Sequence, residues 1–80
     1  MVEVRYFAAI ADAVGKDSEH LSLPAGATVA DLRTALADTY GPDLDKMLGV
    51  CAYLVDDELT RDPSTTLTPR VDVLPPFAGG

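Results

Sequence analysis

The sequence opens on a strictly alternating stretch, Val2-Glu3-Val4-Arg5-Tyr6-Phe7-Ala8. Every second residue, from Val2 to Ala8, falls on one largely apolar face, and Glu3, Arg5 and Phe7 fall on the other. A period of two predicts a half-buried strand. A similar stretch, Val71-Asp72-Val73-Leu74, lies near the other end, and Pro75-Pro76 ends it because prolines cannot donate to a sheet ladder. We expect these first and last strands to be inner strands of one sheet.

Two short elements follow the first strand. Residues 9–14 can form a short helix with Gly15 as its C-terminal cap. Residues 19–23 alternate again and are expected to be a hairpin partner of the first strand. Pro24-Ala25-Gly26 then breaks the chain.

The clearest helix begins after Thr28. Its side chain can cap the free backbone donors, and Asp31 in the first turn suits the positive end of the helix dipole. Gly41-Pro42 ends the helix. Its apolar stripe consists of Val29, Leu32, Leu36 and Tyr40.

The remaining segments complete the expected sheet. After a helical turn at residues 44–48, the continuously apolar residues 50–55 predict a strand covered on both sides. Asp56-Asp57 predicts a turn, an extended piece is expected around Leu59, and a loop at residues 62–66. This order indicates an α+β domain, a mixed sheet with one main helix packed on it. The plan suits the β-grasp (ubiquitin-like) architecture in a single domain spanning residues 1–80.

Charge and composition exclude several classes of function. Thirteen acidic and six basic side chains give a net charge of −7. This charge disfavours binding to the phosphate backbone of nucleic acids and to anionic lipid. We therefore expect no nucleic acid and no membrane as partner. No apolar run approaches the ~20 residues of a membrane span. The N-terminus has no signal-peptide pattern, and the single cysteine cannot form an internal disulfide. A cytoplasmic protein is expected.

Conventional catalytic motifs are missing. One histidine and one cysteine are too few for a tetrahedral zinc site, and there is no phosphate-binding glycine loop and no nucleophile elbow. We expect His20 to be a solvated surface imidazole and Cys51 to be inert packing in an apolar strand. The carboxylates near residues 43–45 and 56–58 lack the spacing of a calcium loop and are expected to serve solubility. No metal site is predicted.

The C-terminal segment offers chemistry of another kind. We expect residues 75–80, Pro75-Pro76-Phe77-Ala78-Gly79-Gly80, to form a flexible tail. Its prolines stiffen the root, its extended reach is roughly 20 Å, and the glycines leave no side chain near the carboxylate. That carboxylate is a poor acyl donor when ionised, but an acyl-adenylate made with ATP would react with a sulfur or amine nucleophile. A frayed terminus without a role is the plainer alternative.

Strand alternation adds a surface beside this tail. Phe7 shares the outward face of the first strand with Arg5, and Leu74 shares its face with Asp72. If these strands are neighbours, Phe7 and Leu74 form an apolar patch at the base of the tail, extended by Leu59. Such patches often mark partner surfaces. The alternative is that a loop or the proline pair covers it.

The whole sequence resembles the MoaD/ThiS sulfur carriers, and most closely the small subunits of molybdopterin synthase. The resemblance rests on residues 4–8, 26–32 and 71–80, and only the last block is specific. Asp56-Asp57 departs from the Asn-Gly that is usual in the family at that turn.

The resemblance implies a protein whose terminal glycine, here Gly80, is adenylated by a MoeB-like partner that uses ATP and is then converted to a thiocarboxylate; no cofactor is bound by the chain itself. It implies a heterotetramer with two MoaE-like large subunits, in which the tail donates sulfur to precursor Z for molybdenum cofactor biosynthesis. The catalytic side chains would belong to the large subunit, so whether the chain is itself an enzyme stays open. The implied partner contacts are Phe7, Leu59, Leu74, Pro75, Pro76, Phe77, Ala78 and Gly79.

A carrier for cysteine or another sulfur product stays open, and so do three further functions. The chain could be a ThiS-like carrier for the thiazole of thiamine, or a ubiquitin-like modifier joined through Gly80 to lysines of other proteins. The third is a plain binding module with an idle tail.

Overall fold

The sheet is built around the two terminal strands. The computed structural model describes residues 1–76, whose strands stand in the order β2-β1-β5-β3-β4. β1 and β5 are parallel, with Tyr6 opposite Val73, and the other neighbouring pairs are antiparallel. The expectation that the first and last strands are inner strands is confirmed. The strands are β1 (Val2–Tyr6), β2 (Ser18–Leu21), β3 (Ala52–Val55), β4 (Glu58–Thr60) and β5 (Arg70–Leu74).

Three helices are present in this part of the chain: α1 (Ala8–Val14), α2 (Val29–Tyr40) and α3 (Pro42–Leu48). The main helix, α2, begins as predicted at a Thr28 cap. Thr28 Oγ1 accepts a bond from the Asp31 backbone N–H at 3.4 Å, and the Asp31 carboxylate accepts from the Thr28 N–H at 2.9 Å. These reciprocal bonds satisfy two backbone donors that a helix N-terminus otherwise leaves unpaired.

The core lies between α2 and one face of the sheet. The predicted stripe of α2 supplies three buried residues to it, Val29, Leu32 and Leu36. They form one apolar cluster with Val4 and with Val71 and Val73 of the central strands, whose side chains are fully buried. Each such side chain contributes roughly 1.5–3 kcal/mol through burial. This is the predicted α+β arrangement of a mixed sheet with one main helix.

Several predicted boundaries were wrong. β1 ends at Tyr6 rather than Ala8, because Phe7 and Ala8 turn the chain into α1. β3 begins at Ala52, and Val50 is 57% exposed in the turn before it. An apolar run cannot by itself separate a strand from the turn that leads into it. Pro42 does more than end α2, since it occupies the first turn of α3, where a missing N–H costs nothing.

The β3–β4 hairpin turns at Asp56-Asp57 as predicted. Both residues have positive φ, 52° and 65°, which is the backbone geometry of a two-residue type I′ turn. Aspartate tolerates this region better than most residues. The departure from Asn-Gly therefore leaves the hairpin intact, with Leu54 opposite Leu59.

Within residues 1–76, no helix has the length and apolar character needed to cross a bilayer.

Candidate functional site

The face of the sheet turned away from α2 carries a continuous row of side chains. Arg5 lies opposite Asp72, Asp72 opposite Leu54, and Leu54 opposite Leu59. Residues paired across neighbouring strands point to the same face. The row therefore crosses β1, β5, β3 and β4 in turn.

The tail leaves the sheet next to this row. Leu74, the last residue of β5, lies opposite Ala52, and Phe7 follows directly after the last paired residue of β1. Phe7 is 36% exposed, Leu74 and Pro75 are half-buried, and Pro76 is exposed. β1 and β5 are neighbours, the condition that the sequence analysis set, so Phe7 and Leu74 follow the last paired residues, Tyr6 and Val73, at the same end of the sheet. We call this face the tail-root surface: Arg5, Phe7, Leu54, Leu59, Asp72 and Leu74.

Leu59 belongs to the tail-root surface but does not lie next to Phe7 and Leu74. It is 65% exposed and lies two strands from β5, about 10 Å across the sheet. Leu54, which is half-buried, lies between Leu59 and Asp72. The predicted patch is thus two apolar areas, one at Phe7 and Leu74 and one at Leu59, joined by Leu54.

A half-buried ion pair is part of this surface. Arg5 donates from Nε to Asp72 Oδ1 at 2.7 Å and from Nη2 to Oδ2 at 2.8 Å, the bidentate geometry of a strong guanidinium–carboxylate pair. Asp72 is 5% exposed and is the only buried charged residue in the part of the chain that the structure describes. The hydrogen bond to Asp72 and its negative charge raise the pKa of Arg5.

The guanidinium also contacts the aromatic ring beside the tail. Arg5 Cζ lies 5.6 Å from the centroid of the Phe7 ring, within the range of a cation–π interaction. One side chain therefore links β5, through Asp72, to the exposed ring at the end of β1. Sequence reasoning placed Arg5 and Asp72 on this face but missed their pairing, because the two residues are 67 positions apart and only the register brings them together.

The predicted reactive end lies outside the described residues. Phe77, Ala78, Gly79 and Gly80 are not among residues 1–76. The flexible tail, the reactive Gly80 carboxylate and the partner contacts assigned to these positions stay predictions. The structure does describe where the tail starts, at the end of a strand paired on both sides.

The predicted exposure of His20 and burial of Cys51 are confirmed, but Cys51 directly precedes β3 and does not lie in a strand as predicted. His20 is exposed on edge strand β2. Cys51 is 3% exposed, its thiol donates to the Met47 carbonyl at 3.2 Å, and burial raises its pKa. Residues 1–76 contain no group of three or more histidine, cysteine or acidic side chains placed to hold a metal ion.

A groove of about 350 Å³ lies away from the tail root, between α2, α3 and the segment after β4. Its Arg33 is already bonded through Nε to Asp45 at 2.8 Å, so its charge is compensated within the chain.

The sequence profile of the ThiS family matches residues 4–80, nearly the whole chain. This chain belongs to the ThiS family. The MoaD/ThiS resemblance is confirmed, and the family comprises ThiS- and MoaD-like sulfur carriers and ubiquitin-like modifiers. No protein of curated function matches the sequence significantly.

Solved structures similar to this ThiS-family chain share its β-grasp fold. A chain from the complex of subunits 1 and 2 of molybdopterin-converting factor from Helicobacter pylori is 30% identical, with a TM-score of 0.67; the match covers 99% of this chain and 97% of that one. Putative molybdopterin converting factor subunit 1 from Pyrococcus furiosus is 26% identical, with a TM-score of 0.75 and coverage of 95% and 97%. Small archaeal modifier protein 1 from Methanosarcina acetivorans is 26% identical, with a TM-score of 0.74 and coverage of 99% and 95%.

Proposed function

We propose that this chain is the small subunit of a molybdopterin synthase, a sulfur carrier whose Gly80 carboxylate becomes a thiocarboxylate and donates sulfur to precursor Z. The observation that carries the proposal is the end of β5. There a chain finishing in Gly79-Gly80 leaves a central strand through Pro75-Pro76, beside an exposed apolar surface. The 30% identity to a chain from the Helicobacter pylori complex supports the choice of pathway.

The chemistry needs no side chain of this protein. A carboxylate oxygen of Gly80 attacks the α-phosphorus of ATP held by a MoeB-like activating partner, and pyrophosphate leaves. Hydrosulfide then attacks the acyl carbon of the adenylate, AMP leaves, and the thiocarboxylate remains. Both steps need close approach of a partner's groups to the terminal carbon, and glycine offers the least steric resistance to that approach.

The fold supplies the positioning. β5 is hydrogen-bonded to β1 on one side and to β3 on the other, so the tail starts from the middle strand of the sheet. Six extended residues after Leu74 reach roughly 20 Å. A partner that receives Gly80 in its interior must therefore cover the surface around the tail root. The exposed ring of Phe7 and the side chains of Leu54 and Leu59 are what it would meet there.

Intact-mass analysis tests the carrier chemistry. The purified chain is incubated with an activating enzyme, ATP and a sulfide source. We expect the mass to rise by the difference between a sulfur and an oxygen atom. Gly80→Ala should lose most of this product, whereas Gly49→Ala, a matched glycine change outside the tail, should not. Equal thiocarboxylate formation by Gly80→Ala would contradict the proposal.

Partner identity tests the pathway. Co-purification with a MoaE-like large subunit, and conversion of precursor Z by the resulting assembly, would support molybdopterin synthesis. Co-purification with a thiazole synthase instead would assign the chain to thiamine synthesis, the ThiS-like alternative.

The second candidate is a ubiquitin-like modifier, favoured by the 26% identity to small archaeal modifier protein 1 of Methanosarcina acetivorans. The same acyl-adenylate would then react with a lysine amine, and Gly80 would end in an isopeptide bond. Conjugation gives adducts far heavier than the free chain, and peptide sequencing would find the terminal Gly-Gly attached to lysine.

A further inference from the structure

The Arg5–Asp72 pair occupies an unusual position. Buried ion pairs bring a large desolvation cost and are weak evidence of stabilisation in their own right. This one lies on the sheet face that α2 does not cover, in the strand that leads into the tail. Its carboxylate is nearly inaccessible, while the Arg5 side chain is still 43% exposed. The pair is therefore built asymmetrically, with the anion inside and the cation outward.

Within residues 1–76, some N–H donors of the Arg5 guanidinium have no acceptor. A guanidinium carries five N–H groups in a planar fork, and Asp72 takes one from Nε and one from Nη2. The described residues offer no other hydrogen-bond partner to the remaining N–H groups. Asp72 and the Phe7 ring hold the fork in place, so little side-chain freedom is left to lose when a further acceptor binds.

A partner that covers this surface must supply hydrogen-bond acceptors for those donors. Buried N–H groups left without an acceptor weaken a complex, and an apolar partner surface alone would leave them so. Arg5 is also the single basic residue of the tail-root surface. Arg70, on the same strand as Asp72, lies at the far end of β5, where it is paired with Glu3 at 3.1 Å. Exposed carboxylates also lie near Arg5: Asp17 lines the pocket that Arg5 shares with Phe7, and Asp56 and Asp57 line the one that it shares with Asp72. An acidic partner group is therefore favoured by the open N–H donors of Arg5 and not by a positive surface.

We propose that Arg5, oriented by Asp72, is a specificity-determining residue that binds a carboxylate on the protein receiving the tail. This inference rests on the proposed function, because it takes that protein to be the MoaE-like large subunit. The recognition element is an acidic side chain surrounded by apolar surface, placed where it meets the guanidinium edge while Phe7 and Leu74 are covered. A partner lacking that acid would bury the remaining N–H groups of Arg5 without an acceptor, so the pair selects against it.

The test compares two matched double variants. Arg5→Gln/Asp72→Asn removes the cation but keeps a polar pair in its place. Arg70→Gln/Glu3→Gln removes the other arginine–carboxylate pair between β1 and β5, at the end remote from the tail. Each purified chain is titrated calorimetrically into the MoaE-like large subunit encoded in the same genome, and its stability is measured by urea unfolding.

We expect Arg5→Gln/Asp72→Asn to bind about tenfold more weakly or worse, as for the loss of a charge-assisted hydrogen bond. The Arg70 double variant should stay within about twofold of wild type. If the first variant is unstable, Arg5→Leu/Asp72→Leu replaces the pair by apolar groups that such sites accept, and it should fold yet bind as weakly.

The outcomes separate the two proposals. Wild-type affinity in a folded Arg5 double variant, or equal losses in both double variants, would overturn the role of Arg5 and leave the carrier function untouched. Failure of the wild-type chain to bind the large subunit would overturn the proposed function and this inference together.

Discussion

Tyr6 donates a hydrogen bond to Glu19 Oε2 at 2.5 Å, joining the buried face of β1 to edge strand β2. Tyr40, the last residue of α2, donates to the same oxygen at 2.7 Å. One carboxylate therefore ties the outer strand pair to the main helix. Burial by itself would raise the pKa of Glu19, but the bonds from Tyr6 and Tyr40, with the nearby Lys16, outweigh it and leave this pKa below its usual value.

The stability of the fold should therefore depend on pH through Glu19. A carboxyl with a lower pKa in the folded state adds stability that is complete above its unfolded pKa, about 4.3, and is lost as the pH falls through the folded value. We expect the unfolding free energy of the wild type to fall more steeply below about pH 4.3 than that of Glu19→Gln. At neutral pH the substitution should cost about 1–3 kcal/mol. Urea titrations across this range measure both, and parallel pH profiles would contradict the assignment.

Leu59 should matter for binding but not for folding. Because its side chain is 65% exposed, Leu59→Ser should change the unfolding free energy by no more than about 0.5 kcal/mol. Binding to the large subunit should weaken about fivefold, the loss of roughly 1 kcal/mol at an interface contact. His20→Ser, an exposed change on the opposite edge strand, is the control. Equal affinity of Leu59→Ser and wild type for the large subunit would show that Leu59 does not contribute to the interface.

Substitutions in the β3–β4 turn should be able to raise the stability of the fold. Asp56 and Asp57 both hold positive φ, and a type I′ turn favours Asn-Gly at these positions. Asp56→Asn/Asp57→Gly should therefore raise the unfolding free energy by about 1 kcal/mol. Asp57→Ala removes one of these two charges without the conformational freedom of glycine, so it should lower stability. Should both variants shift the urea midpoint in the same direction, charge rather than backbone conformation governs this turn.

Cys51 should be a spectator in the sulfur chemistry. Its thiol is buried and its pKa is raised by that burial, so little thiolate exists at neutral pH. We expect a thiol reagent to label the folded chain far more slowly than the urea-unfolded chain. Cys51→Ala should form the Gly80 thiocarboxylate to the wild-type extent. Loss of that product in a folded Cys51→Ala chain would give the cysteine a role that its burial does not suggest.

Local patterns in the sequence predict most of the elements. Alternation located the cores of β1 and β5, and Thr28 with Asp31 marked the start of α2, because these signals act within a few residues. The same reasoning failed at Val50, where hydrophobicity continued into a turn. It could identify Phe7 and Leu74 as outward-facing but not the side-chain pairing around them.

The sequence did not predict the side-chain contacts that depend on how the strands and helices are placed against one another. Arg5 meets Asp72 only because parallel pairing of β1 and β5 places them side by side. Glu19 accepts hydrogen bonds from the hydroxyls of Tyr6 and Tyr40, which lie 13 and 21 positions away. A single sequence contains these side chains but no local signal for their partners. The proline root and the terminal glycines predicted a reactive carboxylate, and the family resemblance added its sulfur chemistry. Both stay predictions, because Gly80 lies outside the described residues.

The parallel pairing of β1 and β5 also has a mechanical consequence. Tension applied between the first and last residues of the chain would load the hydrogen bonds of this pair in shear, all at once, instead of peeling them apart one after another. A pull on the C-terminal end of β5 that is resisted at the N-terminal end of β1 would therefore meet all of these hydrogen bonds together.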